Sequence, residues 1–271
     1  MLKRGFLYLF LFCVLLSGAQ TRKRNFIQRE LGFFGGGSYY IGDINPRRHF
    51  FDSQAACGIF FRYSTNYRYA FRLGFNYGNI TANDAKSKEA DQLERNLNFR
   101  SKLYELNGTA EFNFVEYRIG QERYPFTMYV FAGLSGYYFD PQTDIGSGYQ
   151  SLRTIRTEGQ SSGYAKYQVA VPFGIGIKFN VGDKVGIGLE WGPRKTYTDY
   201  LDDVSGAYPE TTTIGEKGNG YTDRSLNGSA TPGAMRGNPT TKDWYFFYGL
   251  SLNIKLPDPH RTCHGSGMRR R

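Results

Sequence analysis

The sequence is poor in residues that bind metals or form disulfides, with three cysteines and three histidines among 271 residues. Cys13 lies in the apolar N-terminal run, so only Cys57 and Cys263 remain in the rest of the chain. Two cysteines exclude the multi-disulfide framework of small secreted domains. Cys263 lies between His260 and His264, but three such ligands without a fourth do not define a zinc site. We therefore predict no metal and no cofactor, and whether this trio binds anything stays open.

Long hydrophobic runs are scarce as well. The longest begins at Gly5 and ends at Leu16, which is too short for a membrane-spanning helix of about 20 residues. Lys3 and Arg4 precede this run and small residues up to Ala19 follow it, which is typical of a secretory signal peptide. We predict cleavage after Ala19 and export of the mature chain. No later segment approaches about 18 continuous apolar residues, so no transmembrane helix is expected there.

Negative charge is in deficit, because the formal net charge is +10, and removal of Lys3 and Arg4 leaves +8. An exported basic chain seldom meets nucleic acid, so we predict no nucleic-acid partner. Anionic headgroups of outer-membrane lipid and lipopolysaccharide, or acidic partner proteins, fit the charge better.

Glycine and aromatic residues are abundant, with 34 Gly, 22 Tyr and 22 Phe, which favours strands and turns over helices. In the segment 68–78, large apolar side chains at odd positions alternate with small or polar ones, as in a strand with one apolar face. The same alternation predicts eight strands, at 31–41, 54–63, 68–78, 103–114, 126–138, 165–179, 185–192 and 244–256. Their length suits a tilted crossing of a bilayer.

The connections between these strands differ greatly in length. Those at 64–67 and 180–183 are short, whereas 79–102, 139–164 and 193–242 are long, with some helical character expected around 89–96. Outer-membrane barrels have short periplasmic turns and long outer loops. We therefore predict an all-β fold, an eight-stranded antiparallel up-and-down transmembrane β-barrel with both termini periplasmic and long outer loops. A soluble lipocalin-like barrel is the alternative.

The polar faces of the predicted strands carry charges of both signs. In a small barrel such charges can pair across the interior, which eight strands leave just wide enough for side chains to fill. A filled interior argues against an open aqueous pore. The predicted lumen charge network consists of Arg62, Arg72, Glu105, Glu111, Lys166, Lys178, Glu190 and Lys255.

The order of several short segments resembles one family of barrels. These segments are 34–44, 69–78, 106–114, 125–136, 171–178 and 242–249. Together they resemble the PorG-like outer-membrane barrels of the type IX secretion system of Bacteroidota. The resemblance implies a non-enzymatic component that associates with the periplasmic PorK–PorN ring, as one barrel within a large complex. A stand-alone small barrel of the OmpA type, serving envelope integrity, adhesion or lipid binding, is the alternative.

This interpretation divides the chain into four parts. Residues 1–19 are the signal peptide, 20–30 a periplasmic lead, 31–256 the barrel and 257–271 a basic periplasmic tail. Contacts with the ring proteins are then expected on the periplasmic side, at Arg22, Arg24, Arg29, Tyr117, Arg118, Arg261, Arg269, Arg270 and Arg271. The role of the long loop 193–241 stays open.

An enzyme acting on lipid from an outer loop would need a base or a nucleophile at the outer rim. His49 is the only mature histidine in a predicted outer loop, and Asp52 and Ser53 follow it closely. One histidine beside an acid and a hydroxyl is commonly just loop composition. We predict that the protein is not an enzyme and has no catalytic residues.

Overall fold

The computed structural model describes residues 27–123, 125–146, 148–210, 220–228 and 230–257. Eight long strands dominate this part: β1 (Gln28–Ile41), β2 (Gln54–Ser64), β3 (Tyr69–Asn83), β4 (Asn98–Asn113), β5 (Phe126–Phe139), β6 (Tyr167–Asn180), β7 (Val185–Thr196) and β8 (Trp244–Lys255). Each strand pairs antiparallel with its neighbours in the chain, and β1 pairs with β8. The predicted closed eight-stranded antiparallel barrel is confirmed.

The two ends of the barrel differ. At the end that we call the turn end, adjacent strands are joined by the connections 65–68, 114–125 and 181–184. At the opposite loop end, the connections are 42–53, 84–97, 140–166 and 197–243. The first and last described residues, Ile27 and Pro257, both adjoin strand ends at the turn end.

Short elements lie within the long loops. A 3₁₀ turn at Asp84–Lys86 precedes helix α1 (Ala90–Arg95), which falls where helical character was predicted. The two-residue strands Gln142–Thr143 and Gln150–Ser151 pair antiparallel, and helix α2 (Leu152–Ile155) follows them. These pieces fold over the barrel mouth, and we call the described residues of the four long loops the cap.

Strand β1 begins earlier than the sequence predicted. Gln28 and Glu30 were assigned to the periplasmic lead, but both are buried and belong to the strand. Gln28 pairs with Ser64 of β2, and the amide of Gln28 donates to the carboxylate of Glu30 at 2.6 Å. The predicted boundary between lead and barrel was wrong at this point. Polar residues suggested a segment outside the barrel, but here they face its polar interior.

Strands β3 and β4 extend well past the predicted boundary, and they remain paired as far as Asn83 and Asn98. Much of the predicted long loop 79–102 is therefore sheet. In this extension most inward side chains are apolar, since Ile80, Ala82 and Phe99 are buried against the cap. Ser101, which is paired with Ile80, is the buried polar exception. The polarity of the two faces thus reverses along these strands. The predicted strands ended too early because they were recognised by an apolar outward face.

The outer surface of the barrel is strongly apolar. Leu73 is 61% exposed and Leu134 is 72% exposed. Four tyrosines from adjacent strands form a row on this surface near the loop end: the ring centroids of Tyr77 and Tyr104 lie 5.1 Å apart, those of Tyr104 and Tyr138 6.1 Å, and those of Tyr138 and Tyr167 5.1 Å. Other large exposed apolar side chains on the strands include Phe33, Ile59, Phe61, Phe71, Phe75, Leu106, Met128, Ile175, Leu189 and Leu250.

The main cluster of buried hydrophobic residues lies at the loop end of the barrel. Strand residues such as Ile80, Leu103 and Phe139 meet loop residues such as Leu152 and Leu201 there. Burial of this kind stabilises ordered loops by about 25 cal/mol for each Å² of apolar surface removed from water. The cap therefore has a hydrophobic core of its own, on top of a barrel whose interior is polar.

Candidate functional site

The lumen is held by an ion-pair network centred on Glu111. One carboxylate oxygen of Glu111 lies 2.9 Å from Arg62 Nε and 2.6 Å from Lys178 Nζ, and the other lies 3.4 Å from Arg72 Nε. These side chains are nearly inaccessible to water. Because side chains alternate along a strand, β2, β3, β4 and β6 each deliver one charge to the same level of the interior.

Further partners complete the network on both sides of this centre. Arg62 also pairs with Glu30 at 2.7 Å, and Arg72 pairs with Glu190, which accepts a hydrogen bond from the hydroxyl of Tyr129 at 2.7 Å. Buried charges need such pairing, because desolvation of an unpaired ion costs several kcal/mol.

A second ion pair lies nearer the loop end of the lumen. Arg194 Nε lies 3.1 Å from Glu105 Oε2, and the hydroxyl of Tyr245 donates to the same carboxylate at 2.7 Å. Asn107 Nδ2 donates to Glu105 Oε1 at 3.0 Å. Charges of both signs are thus distributed along the interior rather than gathered at one level.

Six of the eight residues predicted for the lumen network lie in it: Arg62, Arg72, Glu105, Glu111, Lys178 and Glu190. Lys166 does not, because it precedes β6 and pairs with Asp140 of the cap at 2.8 Å. Lys255 lies at the turn end, where its ammonium donates to the carbonyl of Ile119 at 3.3 Å. Glu30 and Arg194 were missed, since one was assigned to the lead and the other follows Pro193.

Little space remains between the lumen side chains. The gap lined by Phe60, Arg72, Glu190 and Phe247 has a volume of about 10 Å³. A single water needs roughly 10–15 Å³, so this gap admits about one water at most. At the level of this gap the interior of the barrel is therefore filled.

The connection 114–125 closes the turn end. Tyr117 is only 5% exposed and Ile119 is fully buried, and the hydroxyl of Tyr117 would meet any side chain added at Gly186. The prediction that Tyr117 contacts a partner was wrong, because its ring points into the barrel. The amide of Asn180 donates to the carbonyls of Arg118 and Gln121 at 2.8 and 3.0 Å, which fixes the connection.

Two of the other predicted partner contacts fall within the described residues. Arg29 and Arg118 are both partly exposed at the turn end, and Arg29 donates to the carbonyl of Pro257 at 3.5 Å. The remaining ones lie outside the described residues, as does the predicted signal peptide: Arg22, Arg24, Arg261, Arg269, Arg270 and Arg271.

The acidic run Asp199–Asp203 organises the cap at the mouth of the barrel. The hydroxyl of Tyr40 donates to Asp202, and its oxygen also lies 3.1 Å from Asp243 Oδ1. Asp203 accepts hydrogen bonds from the hydroxyls of Thr157 and Tyr164. The spacing of these carboxylates does not match a calcium-binding loop. The run instead connects β1, the loop 140–166 and the residue before β8.

Two arginines connect the cap loops. Arg95 pairs with Asp84 at 2.7 Å and donates to the carbonyls of Arg236 and Asp43 at 2.7 and 3.0 Å. Arg236 in turn pairs with Glu158 at 3.1 Å and donates to the carbonyl of Asp203. All four long loops are therefore linked by charge-assisted hydrogen bonds, which are stronger than neutral ones.

Several cap carboxylates are protonated more readily than usual. Burial raises the pKa of Asp43 to about 6, against the opposing hydrogen bond from the Asn238 N–H. Burial likewise raises the pKa of Asp203 to about 6, even though Arg236 favours its charged form. Burial, and then repulsion from Asp43, hold the pKa of Asp202 well above the ordinary range. Burial, and then repulsion from Asp202, do the same for the pKa of Asp243.

The three residues considered for catalysis do not form a catalytic group. His49 Nδ1 lies 3.1 Å from the hydroxyl of Tyr39, and its ring packs edge-on against Phe246. Asp52 pairs with Lys86 at 2.6 Å, and the hydroxyl of Ser53 donates to the carbonyl of Phe50. Within the described ranges, no three His, Cys, Asp or Glu side chains are grouped to hold a metal ion.

A closed barrel with a charged, filled interior and an apolar exterior is thus the class of protein that the geometry defines. The chain belongs to the family described as "Domain of unknown function (DUF6089)", whose model matches residues 3–264. No curated protein matches it in sequence. No helix in the described part of the chain is long and apolar enough to span a membrane.

Several solved structures are similar in fold. Neisserial surface protein A is 10% identical with a TM-score of 0.43, over 85% of this chain and 97% of that one. The attachment invasion locus protein Ail of Yersinia pestis is 10% identical with a TM-score of 0.42, over 85% and 99%. The outer membrane protein OprG of Pseudomonas aeruginosa is 10% identical with a TM-score of 0.37, over 84% and 94%. At such identities the likeness concerns the fold alone.

Replacement of Glu111 tests the lumen network. Glu111→Gln leaves Arg62, Arg72 and Lys178 buried without their common counter-charge, so we expect a loss of about 3–5 kcal/mol in the free energy of unfolding. Urea unfolding in lipid vesicles, followed by tryptophan fluorescence, measures this loss. Glu122→Gln makes the same chemical change in the exposed turn and should cost less than about 0.5 kcal/mol. Equal stabilities of the two variants would contradict the role of Glu111.

The cap should become more stable as the pH falls. Asp43 and Asp203 bind protons more tightly in the folded cap than in unfolded loops, so stability rises as the pH drops from about 6 towards 4. Hydrogen exchange of the segment 197–210, corrected for its intrinsic rate, should be about tenfold slower at the acidic end. Asp43→Asn should weaken this dependence, because it imitates the protonated side chain. An unchanged pH profile in that variant would argue against the assignment.

Proposed function

We propose that the protein is a sealed, non-enzymatic outer-membrane barrel that acts as an anchor, with its working surfaces at the two ends. The observation that carries this proposal is the inverted arrangement of polarity. Leu73 and Leu134 are largely exposed on the outside, whereas the interior holds the ion pairs of Glu111. Such an arrangement suits lipid outside and a polar lumen inside.

The reversal of polarity along β3 and β4 supports the same proposal. Up to Tyr77 and Tyr104 the outward side chains are apolar or aromatic. Beyond them the outward residues are polar, and the inward ones, including Ile80 and Phe99, form the cap core. A belt of exposed apolar residues that stops at a row of tyrosines fits a membrane boundary, since tyrosine favours the headgroup level.

Transport through the barrel and catalysis at its mouth are less well supported. The lumen gap of about 10 Å³ is far too small for a solute path through the described residues. At the mouth, His49, Asp52 and Ser53 are each bound to different neighbours, as described above. The filled interior favours a mechanical or binding role over passage of solutes.

A finer proposal concerns the machinery that the barrel serves. The ordered resemblance to PorG-like barrels supports an outer-membrane component of the type IX protein secretion system, which anchors the periplasmic PorK–PorN ring. In that arrangement the turn end, with Arg29 and Arg118 partly exposed, faces the ring. The ordered cap supports the second candidate, a stand-alone OmpA-type barrel that acts in envelope integrity, adhesion or lipid binding through its loops.

A charge placed on the outer face distinguishes a lipid environment from water. Leu73 lies midway along the outward row that runs from Tyr69 to Tyr77. We expect Leu73→Arg to cost about 2–4 kcal/mol in vesicles, because an arginine at the bilayer midplane is poorly solvated. Urea unfolding followed by the fluorescence of Trp191 and Trp244 measures it.

The matched control is Leu226→Arg, since Leu226 is 68% exposed in the cap and Leu73 is 61% exposed on the barrel. The control should change the unfolding free energy by less than about 0.5 kcal/mol. If both substitutions were equally harmless, the outer face would be in contact with water and the membrane proposal would fail.

A pull-down from detergent-solubilised outer membranes separates the two finer roles. If the barrel anchors the periplasmic ring, the ring proteins should be recovered with it, and deletion of residues 258–271 should lower their recovery because the basic tail is removed. Heat-modifiable gel mobility serves as the control that the deleted form still folds. Recovery of a folded barrel without ring proteins would exclude the secretion role and favour the stand-alone barrel.

A further inference from the structure

A polar groove lies on the outer face of β3 and β4, directly beyond the row of tyrosines. The strand register places Tyr77 opposite Tyr104, then Asn79 opposite Lys102, then Thr81 opposite Arg100. All of these side chains point outward and are at least partly exposed. The outer face of these two strands therefore passes from aromatic to polar and cationic within two residue pairs.

The groove is bounded on several sides and has a volume of about 670 Å³. Asp140, Asp144 and Tyr149 of the cap line it beside β4, and Gln54 and Lys86 line it beside β3. This volume is within the usual range of about 300–1,000 Å³ for binding sites of small molecules. We call it the rim groove.

Two cations in the rim groove have no carboxylate partner among the described residues, namely Arg100 and Lys102. The guanidinium of Arg100 instead stacks on the ring of Tyr149, which holds it in place without neutralising it. The third cation of the groove, Lys86, is neutralised by Asp52 at 2.6 Å. Asp140, which also lines the groove, is neutralised by Lys166 at 2.8 Å.

The nearby carboxylate of Asp144 is also engaged. It accepts hydrogen bonds from the backbone N–H groups of Gly146 and Gly148 at 2.7 and 2.9 Å, which closes its own turn. Arg100 and Lys102 thus remain the cations available to an anionic ligand. Two neighbouring cations with free donors suit a phosphate group, which arginine can bind with two parallel hydrogen bonds.

The lower part of the groove lies at the height of the headgroup layer of a bilayer. Two residues along a strand advance about 6.6 Å, and a tilt of about 40° reduces this to roughly 5 Å along the membrane normal. Lys102 therefore lies about 5 Å beyond the tyrosine row, and Arg100 about 10 Å beyond it. The headgroup layer on each side is about 5–8 Å thick, so the backbone of Lys102 lies within it and the backbone of Arg100 lies just beyond it.

We propose that the rim groove binds the phosphate groups of an outer-leaflet lipid headgroup, with Arg100 and Lys102 as its anion ligands. The proposal rests on the membrane-embedded barrel proposed above and adds a site on it. The acyl chains of the lipid then lie along the apolar face that includes Phe75 and Leu106, below the tyrosine row. Free phosphate shares the same chemistry, and the experiment separates the two sources.

The test uses the purified full chain in detergent micelles and counts bound lipid by native mass spectrometry. The probes are diphosphoryl lipid A, the same lipid without its phosphates, and inorganic phosphate. The unaltered protein should retain diphosphoryl lipid A, and Arg100→Gln with Lys102→Gln should weaken binding by about tenfold or more, because two charge-assisted contacts are lost.

The control variant combines Lys88→Gln with Lys195→Gln, which removes the same charge from exposed positions outside the groove. It should bind lipid A as the unaltered protein does. The proposal is overturned if both double variants lose affinity equally, if the Arg100/Lys102 variant binds normally, or if lipid without phosphates binds equally well. Inorganic phosphate bound as tightly as lipid A would identify a free-phosphate site instead.

Failure of this proposal can be told apart from failure of the membrane proposal. Insertion into vesicles, followed by resistance to urea and protease, is measured for the same three proteins. If the unaltered chain inserts but does not retain lipid A, only the rim groove is refuted. If it does not insert at all, the membrane-embedded barrel fails first.

Discussion

The three cations gathered around Glu111 are the constraint on which the rest of the barrel depends. Backbone hydrogen bonds join only adjacent strands, whereas Glu111 on β4 reaches Arg62 on β2 and Lys178 on β6. Strands that share no backbone pairing are therefore held at a fixed separation. The charges are stable in the interior because they are paired there. Burial of any one of them without a partner would carry a large desolvation penalty. One carboxylate thus links three other strands across the interior of the barrel.

The second organising feature is the level at which inside and outside exchange character. Below the tyrosine row the interior is ionic and the exterior apolar; above it, Ile80 and Phe99 point inward while Arg100 and Lys102 point outward. The same pair of strands thus satisfies two different environments, without a break in pairing as far as Asn83 and Asn98. The cap can be ordered because the sheet itself supplies part of its hydrophobic core.

The barrel was predictable from the sequence because strand alternation has period two, and 68–78 shows that alternation plainly. Contacts between distant segments were not. The run Asp199–Asp203 gives no hint of its partners, since Tyr40, Thr157 and Tyr164 are far away in the chain. Arg194 follows a proline that suggested a loop, and Tyr117 in a surface connection turns inward. The lumen charges lie on clear strands, so the sequence predicted most of them. The cap, the closure of the turn end and the rim groove depend on contacts between distant segments, which the sequence does not reveal.

The pairing of β1 with β8 has a consequence for how the molecule is made. Glu30↔Lys255 and Ile41↔Trp244 are the ends of a ladder that joins the two extremes of the described chain. Until residue 255 has been synthesised, β1 has an unpaired edge, and such edges invite association with other chains. Contacts of such long sequence separation also form slowly. Biogenesis of this barrel is therefore a post-synthetic event, in which the whole polypeptide must be kept from aggregating until its last strand is available.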